Sequence, residues 1–564
     1  MPCGQRRSTR TRRPSSGSGG SWTRRTRTLT IGTSLRRGRC CERTVTRPSD
    51  RRTTRRDTPD VRGPGERPPP VRGRSTVGHP SQGAHVTPPP QQGAGRRIRA
   101  LRREAVLAAV PVALAALLGA SAPSVAGAPG ASGVGDPYFP LAGNGGYHVR
   151  HYDLTLRYDP GARHLDGTAV LTARATHALS RFDLDLQGLR VTGVTVDREA
   201  AGVRRSGQEL VVTPRRPLDK DQEFQVRVDY DGTPRPVTES DGSQDGWMPT
   251  DDGAFVAGEP QGSMTWFPAN NHPRDKSSYD ITITVPEGRT AVANGVLLGQ
   301  RTAHGRTTFR WRQSEPMAAY LATASVGTFQ VERYTTGDGI EVYNAVDPRE
   351  AKAAAPVLRK LPSVLEWASG LFGPYPYRAA GSIVDHAPDV GYALESQSRP
   401  VYAVAPDLST FVHETAHQWF GDSVALTSWK DIWLNEGFAS YAEWLYDEQH
   451  GGDTAQETFD ELYASPDDDG LWDIPPGDPG SGDTLFEAPV YDRGAMTLHA
   501  LRTAVGDPAF FRILRAWPTR HRDGHGTTGE FVRLAEQESG KDLKSLFHTW
   551  LYTEGKPERS AARP

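Results

Sequence analysis

The apolar spacing of this sequence predicts an α+β chain of more than one domain, strands first and helices after. From about residue 145 to 335, apolar residues recur at alternate positions, whereas from Glu350 they recur at three- and four-residue intervals. A His-Glu-Thr-Ala-His pentapeptide at 413–417, followed by Glu436, places a metal site in the helical part.

The chain opens on an unusual composition. Residues 1–100 hold 24 arginines, no lysine and 5 acidic residues, a balance of +19, so in a chain of zero net charge the remainder carries −19. Trp22 is the only aromatic among them, and such a segment buries too little apolar surface to offset its chain entropy. Residues 1–95 are therefore expected to lack stable structure. Arginine without lysine reads as translated upstream DNA and a mis-assigned start, rather than a selected basic arm.

Arg96, Arg97, Arg99, Arg102 and Arg103 then precede sixteen mostly apolar residues, Ala105–Ala120, and a small-residue stretch ending in Ala126-Gly127-Ala128. Residues 96–128 have the three-part layout of a secretory signal peptide and are short for a membrane span, so a secreted product beginning near Pro129 is expected. All three cysteines (Cys3, Cys40 and Cys41) lie upstream, so no disulfide is expected after it. The remaining 430 or so residues suffice for two domains with cores of their own. Their strong negative charge argues against nucleic-acid binding, and no second apolar run offers a stable membrane anchor. Oligomeric state is left open.

Beyond a Gly/Pro-rich lead-in at 130–146, the alternating runs are Tyr152–Tyr158, Phe182–Leu186, Phe224–Tyr230 and Tyr279–Val285, each bounded by Gly, Asp or Pro. They predict half-buried antiparallel strands and a β domain over 145–335. Val357, Leu358, Leu361, Val364, Leu365 and Ala368 then follow helical spacing up to Gly373-Pro374, and 336–560 reads as mostly helical.

On a helix, positions i and i+4 lie about 40° apart around the axis, so His413 and His417 share a face and can ligate one zinc ion. Glu414 lies one step around, close enough to act as a base without being a ligand. Eighteen residues separate His417 from Glu436, which sits on a second predicted helix, Asp431–Leu445, and supplies a third ligand. Three protein ligands with a position left open is the catalytic pattern; a structural site closes with four.

These motifs resemble the aminopeptidase N family of zinc metallopeptidases. The resemblance runs from about Tyr147 to Pro557 through Phe411–Asp422 (FVHETAHQWFGD), Trp433–Ala439 (WLNEGFA), Val490–Met496 (VYDRGAM), Phe372–Tyr377 (FGPYPY) and Glu315–Gly327 (EPMAAYLATASVG). It implies a saddle-shaped β domain followed by a thermolysin-like catalytic domain. Tyr491 resembles the family tyrosine that bonds the tetrahedral oxyanion. Gly391–Ser396 stands where the family has Gly-Ala-Met-Glu-Asn, which makes Glu395 the holder of the substrate's free amino group, with Leu394 and Ser396 departing from the pattern. Glu259, in Gly-Glu-Pro-Gln-Gly, falls where a second amine-binding Glu or Gln stands; Asn271-His272-Pro273 replaces the family's Asp-x-Pro nearby. Trp550–Pro557 resembles the end of the catalytic portion, and the helical C-terminal domain of many relatives is expected to be missing, leaving a more open cleft.

The expected function is a secreted aminopeptidase with one zinc per chain acting on peptides. A thermolysin-like endopeptidase would share the zinc site without an amine anchor, and a peptide-binding relative without catalysis is the reading from another class.

Overall fold

The computed structural model describes residues 127–240 and 242–559. The Arg-rich segment 1–95 and the expected signal peptide, up to residue 126, lie outside the described residues. At the point where description begins, Ala128–Pro129 pairs in parallel with the strand Leu179–Asp185.

Strands dominate as far as residue 346. The largest sheet has eight, in the spatial order Val296–Ala303, Arg306–Ala318, Lys276–Pro286, Tyr147–Asp159, His164–Ala175, Glu223–Gly232, Arg190–Val196 and Glu199–Ala200. Its residues alternate as the sequence requires: Tyr152, Leu154, Leu156 and Tyr158 point inward, as do Tyr279, Ile281, Ile283 and Val285. Tyr152 stacks on Tyr279 with ring centroids 4.8 Å apart, and Phe267 packs edge-on to Tyr152 at 5.6 Å. The sheet is not purely antiparallel, because Lys276–Pro286 runs parallel to Tyr147–Asp159. Period-two spacing reports burial on one face and is blind to strand direction. Phe182 and Leu184 belong to a separate four-stranded sheet, and Leu186 directly follows their strand, Leu179–Asp185.

The part from residue 330 onward is less uniformly helical than its spacing predicted. It begins with a five-stranded sheet, Gln330–Thr335, Glu341–Val346, Ala379–Val384, Val401–Tyr402 and Ala393–Leu394 in spatial order. Residue 335 thus falls within a hairpin. Ala379–Val384 is buried at all six positions, so it shows no alternation, and its Ala-Ala-Gly-Ser start carries no strand signal.

Helices α1 (Ala351–Leu358) and α2 (Leu361–Phe372) lie between Glu341–Val346 and Ala379–Val384, and the others follow the sheet: α3 (Leu408–Ala416), α4 (Trp433–His450), α5 (Ala455–Tyr463), α6 (Ala488–Val505), α7 (Asp507–Arg520), α8 (Thr528–Ser539) and α9 (Lys544–Tyr552). Helix α4 is buried along most of its length, between α3 and α6. Its contact with α6 is set by two glycines. A Cβ on Gly437 would sit 2.9 Å from Gly494, and one on Gly494 would sit 3.0 Å from Gly437, so the helix backbones touch.

The Gly/Pro-rich lead-in is ordered and ties the strands to the helices. Asp136 accepts hydrogen bonds from the Trp429 N–H (2.9 Å) and Ser428 Oγ (3.0 Å), at the turn that opens into α4. Burial alone would raise its pKa, but bonds from His272, Trp429, Phe139 and Tyr138 hold the carboxyl well below the usual carboxylate range.

Candidate metal centre

Helix α3 starts on Asp407, whose carboxylate caps the Thr410 N–H at 2.8 Å. The helix ends at Ala416, and His417 is its C-cap, still in helical conformation and bonded through its N–H to the His413 carbonyl. The two imidazoles therefore keep their shared face, with ring centroids 4.7 Å apart. Glu436, in the first turn of α4, faces both: its Oε2 lies 3.4 Å from His413 Nε2 and 3.5 Å from His417 Nε2.

That spacing fits a zinc ion. Ligand atoms around a tetrahedral centre with bonds of roughly 2.0–2.1 Å stand about 3.3 Å apart. The remaining ring nitrogens are already engaged. His413 Nδ1 lies 2.7 Å from Glu443 Oε1, and His417 Nδ1 lies 3.0 Å from the Phe420 carbonyl, which leaves both Nε2 atoms for the metal. Sequence reasoning missed Glu443. It stands seven residues after Glu436, two turns along the same face of α4, and that spacing was the available signal.

The electrostatics agree with a cation position. Burial would raise Glu436, yet attraction to His417 and His413 holds its carboxyl down to about 2. Burial would likewise lower the imidazoles, but Glu436 and Glu443 raise His413 well above its ordinary value, and Glu436 with Glu395 pushes His417 up to about 9. Carboxylates that hold protons this firmly on two imidazoles would favour a metal cation in the same place.

Glu414 is buried beside the centre. Burial pushes its carboxyl up to about 8, against the pull of His413 and His417. Tyr491, near the start of α6, lies with its ring 6.0 Å from that of His413 at 27°. Burial, and then the negative charges of Glu436, Glu259, Glu395 and Glu414, raise its hydroxyl well above the ordinary value, which keeps it a hydrogen-bond donor. The Gly437–Gly494 contact fixes this register, since Glu436 precedes one glycine and Tyr491 lies one turn before the other.

Glu395 comes to the same place from a buried loop. One of its carboxylate oxygens lies within 4.8 Å of ligand atoms of Glu414 and His417. Its Oε1 is buried without a hydrogen-bond partner among the described residues. The loop is clamped from both sides. Gln418 Nε2 donates to the Glu395 carbonyl (2.9 Å), and its Oε1 accepts from the Ser398 N–H (2.7 Å). Asn294 and Gly295 hold Gln397 and Ser398 from the β side, and the buried guanidinium of Arg399 donates to the carbonyls of Tyr343, Ala293 and Gly295. Nothing in the sequence around Gln418 signals this clamping role.

Glu259 follows the strand Ala254–Ala257 and also has a buried oxygen, Oε1, without a partner among the described residues. Burial raises its carboxyl well above the ordinary range, and Glu395 is the strongest of the charges that raise it further. All seven residues singled out in the sequence thus converge on one acid-rich centre.

Two family models match the chain: the peptidase M1 N-terminal domain over residues 148–321 and the peptidase family M1 domain over 396–550. Glutamyl aminopeptidase of Bos taurus is 27% identical over 327 residues, which is 53% of this chain and 34% of that protein. Aminopeptidase M1-B of Oryza sativa subsp. japonica is 27% identical over 314 residues, covering 52% and 36% respectively. The chain therefore spans about a third of the length of these aminopeptidases. Among solved structures, the M1 zinc metallopeptidase from Deinococcus radiodurans is 30% identical with a TM-score of 0.70, and the match covers 77% of this chain and 99% of that one. A mutant of it bound to a Tyr-Ser-Ala substrate matches with a TM-score of 0.69 over 76% and 99%. With a strand-rich part preceding a helical one, and a His-His-Glu centre suited to zinc, the chain belongs to the M1 family of zinc metallopeptidases.

Proposed function

We propose that this protein is a zinc aminopeptidase, removing residues from the free N-termini of peptides. The observation that carries the exopeptidase reading is the pair of carboxyls beside the metal centre, buried Glu395 and half-buried Glu259, each with a buried oxygen lacking a partner among the described residues. Buried acids left in this state call for a cationic ligand, and a peptide's α-ammonium is one that arrives with the substrate. The Tyr-Ser-Ala substrate of the Deinococcus radiodurans relative and the aminopeptidase names of the rice and bovine relatives support the same reading.

His413, His417 and Glu436 would hold the zinc, with Glu443 orienting His413. When bound, zinc supplies Lewis acidity toward the scissile carbonyl and toward water. Glu414 accepts the proton of the attacking water and passes it to the departing amine; burial raises its carboxyl above the ordinary carboxylate range, which makes it a stronger base. Tyr491 donates its phenolic hydrogen to the oxyanion, a contact whose loss typically costs about 10²–10³ in rate. Glu395 and Glu259 pair with the α-ammonium and set the register so that the first peptide bond meets the base. An endopeptidase sharing the metal site would have no use for these two acids.

The expected site of action is outside the cytoplasm, on the strength of the charged and apolar runs of residues 96–128. The function is tested with aminoacyl chromogenic substrates. Turnover should disappear on chelation and return with zinc, and persistence of full activity in a zinc-free sample would contradict the proposal.

A further inference from the structure

We propose that Asp252, Asp347 and Asp385 form a second cation site, distinct from the zinc centre, that takes a hard divalent ion such as calcium or magnesium. Asp347 and Asp385 directly follow the adjacent parallel strands Glu341–Val346 and Ala379–Val384, which end in register at Val346 and Val384. Asp252 reaches them from the turn between Gln244–Pro249 and Ala254–Ala257. One carboxylate oxygen from each lies within 4.8 Å of the other two.

Their hydrogen bonding is incomplete where they meet. Asp385 has no exposed surface; its Oδ1 accepts from the His386 N–H at 2.8 Å, and its Oδ2 is buried without a partner among the described residues. Asp252 uses Oδ2 for the Thr328 N–H (2.8 Å) and Arg289 (3.1 Å), and its Oδ1 is likewise buried and unpartnered. Asp347 is held in place by Arg349, which also pairs with Asp251.

The charges do not balance. With every carboxyl ionised, Asp251, Asp252, Asp347, Asp385 and Glu350 face Arg289, Arg349 and His386, an excess of at least two negative charges; burial, and then the charges of Asp252 and Asp347, push the Asp385 carboxyl up to about 7. A single divalent cation cancels that excess and satisfies both orphaned oxygens. With oxygen donors alone, the set selects a hard ion over zinc or copper.

The position matters for substrate binding. Ala254–Ala257 leads from Asp252 to Glu259, and the chain runs from Asp385 through its loop to Glu395. An ion bridging the two acids would fasten both segments that carry the proposed ammonium ligands. The binding itself does not depend on the aminopeptidase reading.

The test uses the full zinc-loaded chain, stripped of weakly held ions and verified to retain one zinc, then titrated with calcium and, separately, magnesium by calorimetry and thermal melting. Saturable uptake of one ion per chain is expected, with a dissociation constant of about 10⁻⁴–10⁻³ M and a Tm that climbs with ion concentration. Asp385→Asn and the half-buried Asp252→Asn should each weaken uptake at least tenfold with zinc content unchanged; the second serves if the first does not fold. No uptake of either ion by the unmutated chain, or uptake undiminished in the variants, would overturn the site. So would an ion-insensitive Asp385→Asn chain as stable as the ion-saturated parent, since Asp385 would then be a neutral acid sharing a proton. Loss of zinc during preparation would bear on the catalytic centre alone.

Discussion

Replacing Gly437 by alanine should slow catalysis without touching a residue of the site. The new Cβ would lie 2.9 Å from Gly494 in α6, where ordinary contact begins at 3.4 Å, so the two helices must part by about 0.5 Å or more. Overpacking of this kind costs about 1–3 kcal/mol and should lower Tm by a few degrees. The kinetic effect is larger in proportion. Tyr491 rides on α6 one turn from Gly494, and Glu436 precedes Gly437 on α4, so the separation opens between the oxyanion donor and the metal ligand. A misplacement near 1 Å can cost about 10²-fold, and complete loss of an oxyanion donor about 10²–10³. The expected fall in kcat is therefore about tenfold to a hundredfold, with KM little changed because the amine-binding acids sit on other segments. Steady-state kinetics on an aminoacyl p-nitroanilide, together with zinc analysis and a melting curve, reads all three quantities. Gly494→Ala should behave alike. Gly529→Ala, on the exposed face of α8 with only a distant Arg533 contact, should leave kcat unchanged. A Gly437→Ala enzyme with lowered Tm and a kcat within twofold of the parent would refute the claim that this contact positions Tyr491.

Three further outcomes are expected. Glu443→Ala should weaken zinc binding about 10–100-fold, measured by competition with a chelator, because His413 loses the partner that orients it; unchanged affinity would remove Glu443 from the centre. Glu414→Ala should retain one zinc per chain by metal analysis and lose turnover, since it is assigned as base and not ligand. Asp136→Ala should destabilise the chain by about 3 kcal/mol at neutral pH, through the donors it leaves unpaired. The Asp136 carboxyl is held below its unfolded value, so its stabilisation is complete above about pH 4 and fades as pH falls further. The gap in Tm between parent and variant should then be constant from pH 7 to 5 and narrow below 4; a gap that widened in acid would contradict this.

How much of this was legible in the sequence depended on whether a residue's role leaves a periodic or motif signal. The strands of the large sheet were readable because one face is buried, and Tyr152, Leu154, Leu156 and Tyr158 all fall on it. Ala379–Val384 was not, because burial on both faces erases alternation. The ligands were readable because i, i+4 spacing on a helix brings two imidazoles together by geometry alone. Glu443 shares a helix face with Glu436, but its pairing with His413, 30 residues away, is made by the fold; Gln418 and the Asp136 tether carry no spacing signal at all, since they act through contacts between residues 20 or more apart in the chain. The lead-in at 130–146 has a loop-like composition, and its order comes from buried hydrogen bonds, which composition cannot report.

The exopeptidase claim is tested most directly by one pentapeptide offered with a free and with an acetylated N-terminus, its products read by mass. Acetylation removes the ammonium charge and strands Glu395 and Glu259 without their partner, a loss of about 2–5 kcal/mol, or roughly thirtyfold to several thousandfold in kcat/KM. Stepwise removal of single residues from the free peptide is expected, with a rate lower by that factor for the acetylated one and a smaller difference between the two in Glu395→Gln at full zinc content. Equal internal cleavage of both peptides would contradict it and leave an endopeptidase built on the same metal centre.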